Sequence, residues 1–179
     1  MKPILFFPWT KTPASQGLDQ LFPSLFTYCG YPHDYEDSLF ALWSANTDII
    51  VIEHDIVATD EHIEELVECL APLCAFAYKV YPISSGRQEA FYPHANRDKT
   101  GTKYTFVKEG EHWADHAALG LTKFSQHIRH VVERPNLLHD EWSDWRNLDT
   151  RLSQAFNDQG LGFHIHWPEV EHLHKGEGA

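Results

Sequence analysis

Two carboxylates stand two residues apart at the end of an unbroken apolar run, where Ile49-Ile50-Val51-Ile52 leads into Glu53-His54-Asp55. A β-branched run of this kind reads as a buried strand that carries its acids to its own carboxyl end. Residues two apart share a strand face, so both carboxylates can approach one cation. An isolated E-x-D is equally what an ordinary strand ending in a polar turn looks like, and the rest of the chain must weigh the two. Asp149 is a third acid, set one residue off the apolar stripe Trp142, Trp145, Leu148, Leu152 and Phe156. Alone it reads as half of a helix-surface pair with Arg146 or Arg151. Of thirteen histidines, the pair His172 and His174 stands out because it closes the last patterned stretch.

Composition limits the partners. The 179 residues are 42% hydrophobic and 13% aromatic, enough for one domain with a real core. A formal net charge of -12 argues against a broad grip on a phosphate backbone or an anionic membrane, since both normally use a basic patch. No stretch approaches the roughly twenty apolar residues of a membrane span. Cys29, Cys69 and Cys74 are odd in number and lack a paired C-x-x-C spacing, so they read as reduced core thiols of a cytoplasmic protein.

Alternating elements must position the acids. Ile4 to Phe7 reads as a first strand, and Pro8-Trp9-Thr10-Lys11-Thr12-Pro13 as the loop after it. Open α/β sheets bind ligands at such loops, which makes Trp9 and Thr10 cofactor-binding candidates. Leu18, Leu21, Phe22 and Leu25 have helical spacing, with Pro23 limiting any helix there, and Phe26 to Cys29 reads as a short strand. Tyr35, Leu39, Leu42 and Trp43 form a helical stripe that feeds the acidic strand. Thr59 is an expected N-cap for a helix lined by Ile63, Leu66, Val67 and Leu70, and residues 73–81 read as the next buried strand. Strand, helix, strand, helix, strand points to a sheet with parallel pairs.

Beyond it, residues 82–103 are expected to form a long surface loop, and Tyr104 to Val107 a short strand. Phe124, Ile128, Val131 and Val132 suggest a helix ending before Pro135. The Trp142–Phe156 stripe predicts another helix, stopped at Gly160. Leu161, Phe163, Ile165 and Trp167 then alternate with Gly162, His164 and His166 as a half-buried strand, ahead of a frayed tail at 175–179.

The order of these features resembles the GT-A-type glycosyltransferases. The matching points are the strand ending in Glu53-His54-Asp55, the segment Ala118-Leu119-Gly120-Leu121-Thr122-Lys123-Phe124, the helix containing Trp145-Arg146-Asn147-Leu148-Asp149-Thr150-Arg151-Leu152, and the final strand running into His172-Leu173-His174. The resemblance implies one α/β domain over residues 1–179, with a mixed, mostly parallel sheet flanked by helices. It implies that Glu53 and Asp55 hold a divalent metal on a sugar-nucleotide diphosphate, that Glu53 is part of the donor site, and that His172 or His174 completes the metal site. It makes Asp149 the catalytic base of an inverting enzyme.

The residue types suit that chemistry. Carboxylates favour Mg²⁺ or Mn²⁺, and a late imidazole tips the choice toward Mn²⁺. The expected partner is a nucleotide-sugar donor such as a UDP-sugar, with a small metabolite, a glycan or a hydroxylated nucleic-acid base as acceptor, and no membrane. A non-catalytic binding relative of the same fold and a metal-dependent hydrolase are the competing readings. Asp144 and Asp115 are next in line as base.

Overall fold

A computed structural model describes residues 2–9, 15, 17–30, 32–80, 90–98, 100, 103–132 and 148–173. A mixed seven-stranded sheet forms its centre, in the spatial order Ser24–Tyr28 (β2), Ile4–Trp9 (β1), Ile49–Ile52 (β3), Leu121–Phe124 (β9), Leu73–Phe76 (β5), Phe163–His166 (β10) and Trp113–Ala114 (β8). β9 and β8 run against the other five strands, so the sheet is mostly parallel. Ile56–Val57 (β4) pairs with Glu171–His172 (β11), and Ala95–Arg97 (β6) pairs with Tyr104–Phe106 (β7). The helices are Pro32–Ala41 (α1), Asp60–Glu68 (α2) and Leu148–Asn157 (α3).

Strand alternation sorts the apolar side chains onto two faces. Phe6, Ile49, Val51, Ala75, Phe124, Phe163 and Ile165 meet Tyr35 and Leu39 of α1 and Leu148, Leu152 and Phe156 of α3. Leu5, Phe7, Ile50, Ile52, Cys74, Phe76 and Leu121 meet Ile63 and Leu66 of α2. All four residues of β3 are buried, because helices cover both faces of a parallel sheet and leave no solvated side. Each large side chain removed from water in this way contributes about 1.5–3 kcal/mol.

Thr59 is the N-cap of α2, and its N–H donates to His62 Nδ1 at 3.1 Å. The helix buries a narrower stripe than the spacing predicts, since Val67 is 39% exposed and Leu70, beyond the last turn, fully exposed. Other expectations change more. Residues 18–25 supply only a 3-10 turn at Leu18–Gln20 before β2 begins at Ser24. The spacing of Phe124 with Ile128 and Val131 is not helical: Leu121–Phe124 is the strand joining β3 to β5, followed by a 3-10 turn at Arg129–Val131. Pairing on both edges outweighs a weak local periodicity there. Within 82–103, β6 and the fully buried His94 are ordered elements, and residues 81–89 lie outside the described part. Trp142 and Trp145 also lie outside it.

Candidate functional site

The acidic run ends in a turn rather than on the strand. β3 stops at Ile52, the Glu53 N–H donates to the Gly120 carbonyl at 2.8 Å, and the Ile56 N–H donates to the Glu53 carbonyl at 3.1 Å. Glu53 and Asp55 therefore converge through a tight turn, not through a shared strand face. β4 follows at once and recruits β11, with the Leu173 N–H donating to the Asp55 carbonyl at 2.7 Å. This pairing brings His172 Nε2 to 3.2 Å from Asp55 Oδ2, while its Nδ1 lies 3.1 Å from the Lys79 carbonyl oxygen.

Electrostatics ties a third acid to this pair. Burial, together with the charges of Asp55 and Asp149, pushes the Glu53 carboxyl up to about 8 against the lowering pull of Tyr35 and His172. Glu53 is thus protonated at neutral pH unless a cation relieves it. Burial also works to raise Asp55, but the His172 hydrogen bond and charge, with His54, outweigh it and hold that carboxyl below its ordinary value. Burial likewise opposes charge on His172, and Asp55 reverses the balance and raises its pKa. Asp149 is raised by burial against the charge of His116.

Two phenols complete the surroundings. The Tyr35 hydroxyl donates to Glu53 Oε1 at 3.4 Å. Tyr78, two residues past β5, lies with its ring 5.2 Å from that of His172 and feels the charges of Glu53, Asp149 and Asp55. Burial raises both phenols well above their usual range, so they stay neutral donors. The Tyr78 ring crosses the backbone so closely that a Cβ at Gly120 would meet it at 2.5 Å.

α3 holds Asp149 in its first turn, where the Thr150 N–H donates to Asp149 Oδ1 at 2.7 Å. Arg146 lies outside the described residues, and Arg151 pairs with the buried Glu36 of α1 at 2.8 Å. That pair clamps the helix of Asp149 to the helix of Tyr35. His116 Nε2 lies 3.2 Å from Thr150 Oγ1, and the Ala117 N–H donates to Ser153 Oγ at 3.3 Å.

Glu53, Asp55, His172 and Asp149, all singled out in the sequence, thus form one cluster. Trp9 ends β1 in register with Tyr28, whereas Thr10, His174 and Asp144 lie outside the described residues. Asp115 is engaged structurally, accepting from the Arg97 N–H at 2.8 Å. Sequence reasoning missed Tyr35 and Tyr78 as site residues, because each reads as one more apolar member of a buried stripe or strand. No helix among the described residues is long and apolar enough to cross a membrane.

No protein-family model matches the chain, and no characterised protein matches it in sequence. Among solved structures, A197 from STIV superposes with a TM-score of 0.63 at 12% identity, over 98% of this chain and 87% of that one. This likeness describes a shared fold. A CMP:2-keto-3-deoxy-manno-octonic acid synthetase complexed with CTP superposes with a TM-score of 0.46 at 9% identity, over 97% of this chain and 93% of that one. That overlap is too loose to bear on the chemistry.

Proposed function

We propose that the chain is a metal-dependent, inverting glycosyltransferase that moves a sugar from a nucleotide-sugar donor to a hydroxyl acceptor. The observation that carries this reading is the approach of three carboxyl groups, Glu53, Asp55 and Asp149, at the carboxyl end of β3, with His172 Nε2 3.2 Å from Asp55 Oδ2. Burial, with the charges of Asp55 and Asp149, raises the Glu53 carboxyl to about 8, and a divalent cation there would favour its charged form. Two carboxylates and an imidazole are a donor set that Mn²⁺ accepts and Mg²⁺ accepts less well. Glu53, Asp55 and His172 would hold the metal, which when bound neutralises the charge that develops on a departing nucleoside diphosphate.

The chain's own residues supply the rest. The acceptor oxygen forms the new bond to the anomeric carbon, and the bond from that carbon to the diphosphate oxygen breaks with its electron pair leaving on the nucleoside diphosphate. The hydroxyl proton passes to the Asp149 carboxylate. Burial raises Asp149 toward working pH, which strengthens it as a base. The Arg151–Glu36 clamp keeps it in place, and a fixed base meets its proton more often than a mobile one. Tyr35 and Tyr78 present neutral hydroxyls beside the acids.

A thermal-shift panel of nucleoside diphosphates and nucleotide sugars, with and without Mn²⁺, tests the reading, because a ligand that binds only the folded state raises its apparent stability. The expected result is a Mn²⁺-dependent shift with one nucleotide class, followed by acceptor-dependent release of the diphosphate. Binding without turnover would instead indicate a non-catalytic relative, and release that needs no acceptor a hydrolase.

A further inference from the structure

A second cluster lies on the α2 face of the sheet. Cys69, Cys74, His164 and His166 each aim one donor atom at a common point, with all four atoms within 4.8 Å of one another. Cys69 is the C-cap of α2, Cys74 is the second residue of β5, and the histidines come from β10, whose register sets His164 beside Cys74 and His166 beside Phe76. α2 runs back from the acids to the start of β5, so this cluster occupies the amino end of β5, away from the turn at Glu53.

We propose that Cys69 and Cys74, as thiolates, together with His164 through Nδ1 and His166 through Nε2, bind one zinc(II) ion in a closed structural site. Tetrahedral zinc with Zn–S near 2.3 Å and Zn–N near 2.0 Å keeps its donors roughly 3.3–3.8 Å apart. Cys69 Sγ lies 3.4 Å from His164 Nδ1, His164 Nδ1 lies 3.3 Å from His166 Nε2, and the two sulfurs are 2.9 Å apart. Among these three separations only that of the sulfurs falls below the range, so it must widen to seat the ion.

The surroundings match what such a site requires. His166 Nδ1 lies 2.6 Å from Glu65 Oε1, the carboxylate partner that fixes a ligating imidazole with its other nitrogen free for metal. Lys123, paired in register with Cys74 and buried, donates to the Cys69 carbonyl at 2.6 Å and adds positive charge beside the sulfurs. His112 stacks on His164 at 5.8 Å, but its Nδ1 is occupied 3.2 Å from the Ile165 carbonyl oxygen. Two thiolates, two neutral imidazoles and Zn²⁺ sum to zero charge, as a buried site needs. Sulfur donors select zinc over the Mg²⁺ or Mn²⁺ suited to the carboxylates, and four protein ligands leave no open position for substrate. The ion would staple the end of α2 to β5 and to β10, segments about ninety residues apart in sequence.

The test uses the full chain purified under reducing conditions, with metal content read by plasma mass spectrometry. The expected result is one zinc per chain that survives gel filtration, leaves with a strong chelator together with a fall in melting temperature, and is restored by zinc but not by magnesium. Cobalt(II) in its place should show thiolate charge-transfer absorption and the intense visible bands of a tetrahedral ion. Cys69→Ser and His164→Gln, at partly exposed positions, should lose the zinc, and Glu65→Gln should weaken it by roughly 10–100-fold. If those variants fail to fold, the cobalt spectrum of the unaltered protein decides alone. Unchanged zinc in both variants, weak octahedral cobalt bands, or a Cys69–Cys74 disulfide in protein prepared without oxidant would overturn the proposal. So would loss of the zinc in Asp55→Ala, which would assign the ion to the acidic cluster.

Discussion

The carboxylate cluster after β3 and the thiol–imidazole cluster on β5 and β10 differ in donor type, charge and closure, although short segments of the same chain build both. At the turn after β3, hard oxygen donors from Glu53 and Asp55 stand with Asp149, and burial together with the charges of the other two acids pushes the Glu53 carboxyl up to about 8. At the start of β5, soft sulfur and nitrogen donors form a compact set whose outer face is hydrogen-bonded to Glu65. Under the proposed function, a cation that arrives and leaves with substrate would relieve the charge gathered at the first site. Four mutually compatible ligands at the second site suit an ion that stays. The same sheet thus offers one cluster suited to turnover and another suited to holding strands together.

The sharpest way to break this contrast is Asp149→Asn. It keeps size and most hydrogen bonding but removes basicity, so turnover should fall by roughly 10²–10⁴-fold with donor affinity and zinc content unchanged. Normal turnover with a verified acceptor would make Asp149 a structural helix residue. Next, Asp55→Ala should abolish Mn²⁺-dependent UDP binding in calorimetry, a larger loss than the roughly 10–100-fold cost of removing an outer partner. Unchanged affinity there would remove Asp55 from the metal site.

A pH experiment separates the clusters further. Glu53 sits near 4.5 when unfolded and near 8 when folded, so the folded state binds more protons across that window. Its contribution to stability is fully present below the lower value and is lost as pH rises through the upper one. Glu53→Gln should flatten that decline by an amount on the order of a few kcal/mol in denaturant melts at pH 5 and pH 9. Mn²⁺ affinity should rise over the same range in the unaltered protein, because the metal must displace the proton. A flat stability profile would show that Glu53 is charged throughout. The smallest expected effect is that of Gly120→Ala, whose new methyl would meet the Tyr78 ring at 2.5 Å. Displacing that buried ring should cost about 1–3 kcal/mol, with loss of donor affinity but retention of zinc. A variant as stable as the parent would show that Tyr78 moves freely.

Legibility followed the range of the interactions involved. The buried run of β3, the cap at Thr59 and the helix carrying Asp149 were readable because strand burial, helix capping and helical periodicity leave their mark within about ten residues. The strand at Leu121–Phe124 goes unread in the sequence and its last residue, Phe124, reads as the start of a helix, because its two neighbours lie about 70 and 50 residues away and leave no trace in its own periodicity. Cys69 and Cys74 read as ordinary core thiols for the same reason. Their spacing matches no compact zinc motif, and the imidazoles that face them arrive from β10 about ninety residues later.

By itself the amino-acid sequence determined the chemistry on offer: which carboxylates, imidazoles and thiols exist, and which segments are apolar enough to be strands or amphipathic enough to be helices. It also determined that Glu53 and Asp55 stand at a strand exit, since hydrophobic patterning and the change to polar residues are local properties. Only the tertiary structure decided how these groups were shared out. Pairing of β11 with β4 brought His172 to Asp55, the Arg151–Glu36 clamp set α3 and Asp149 against α1, and the register of β10 on β5 turned two histidines toward two cysteines. Strand pairing can join any two segments of suitable pattern, so the partner of each strand follows from the packing of the whole sheet and not from the residues of the strand alone.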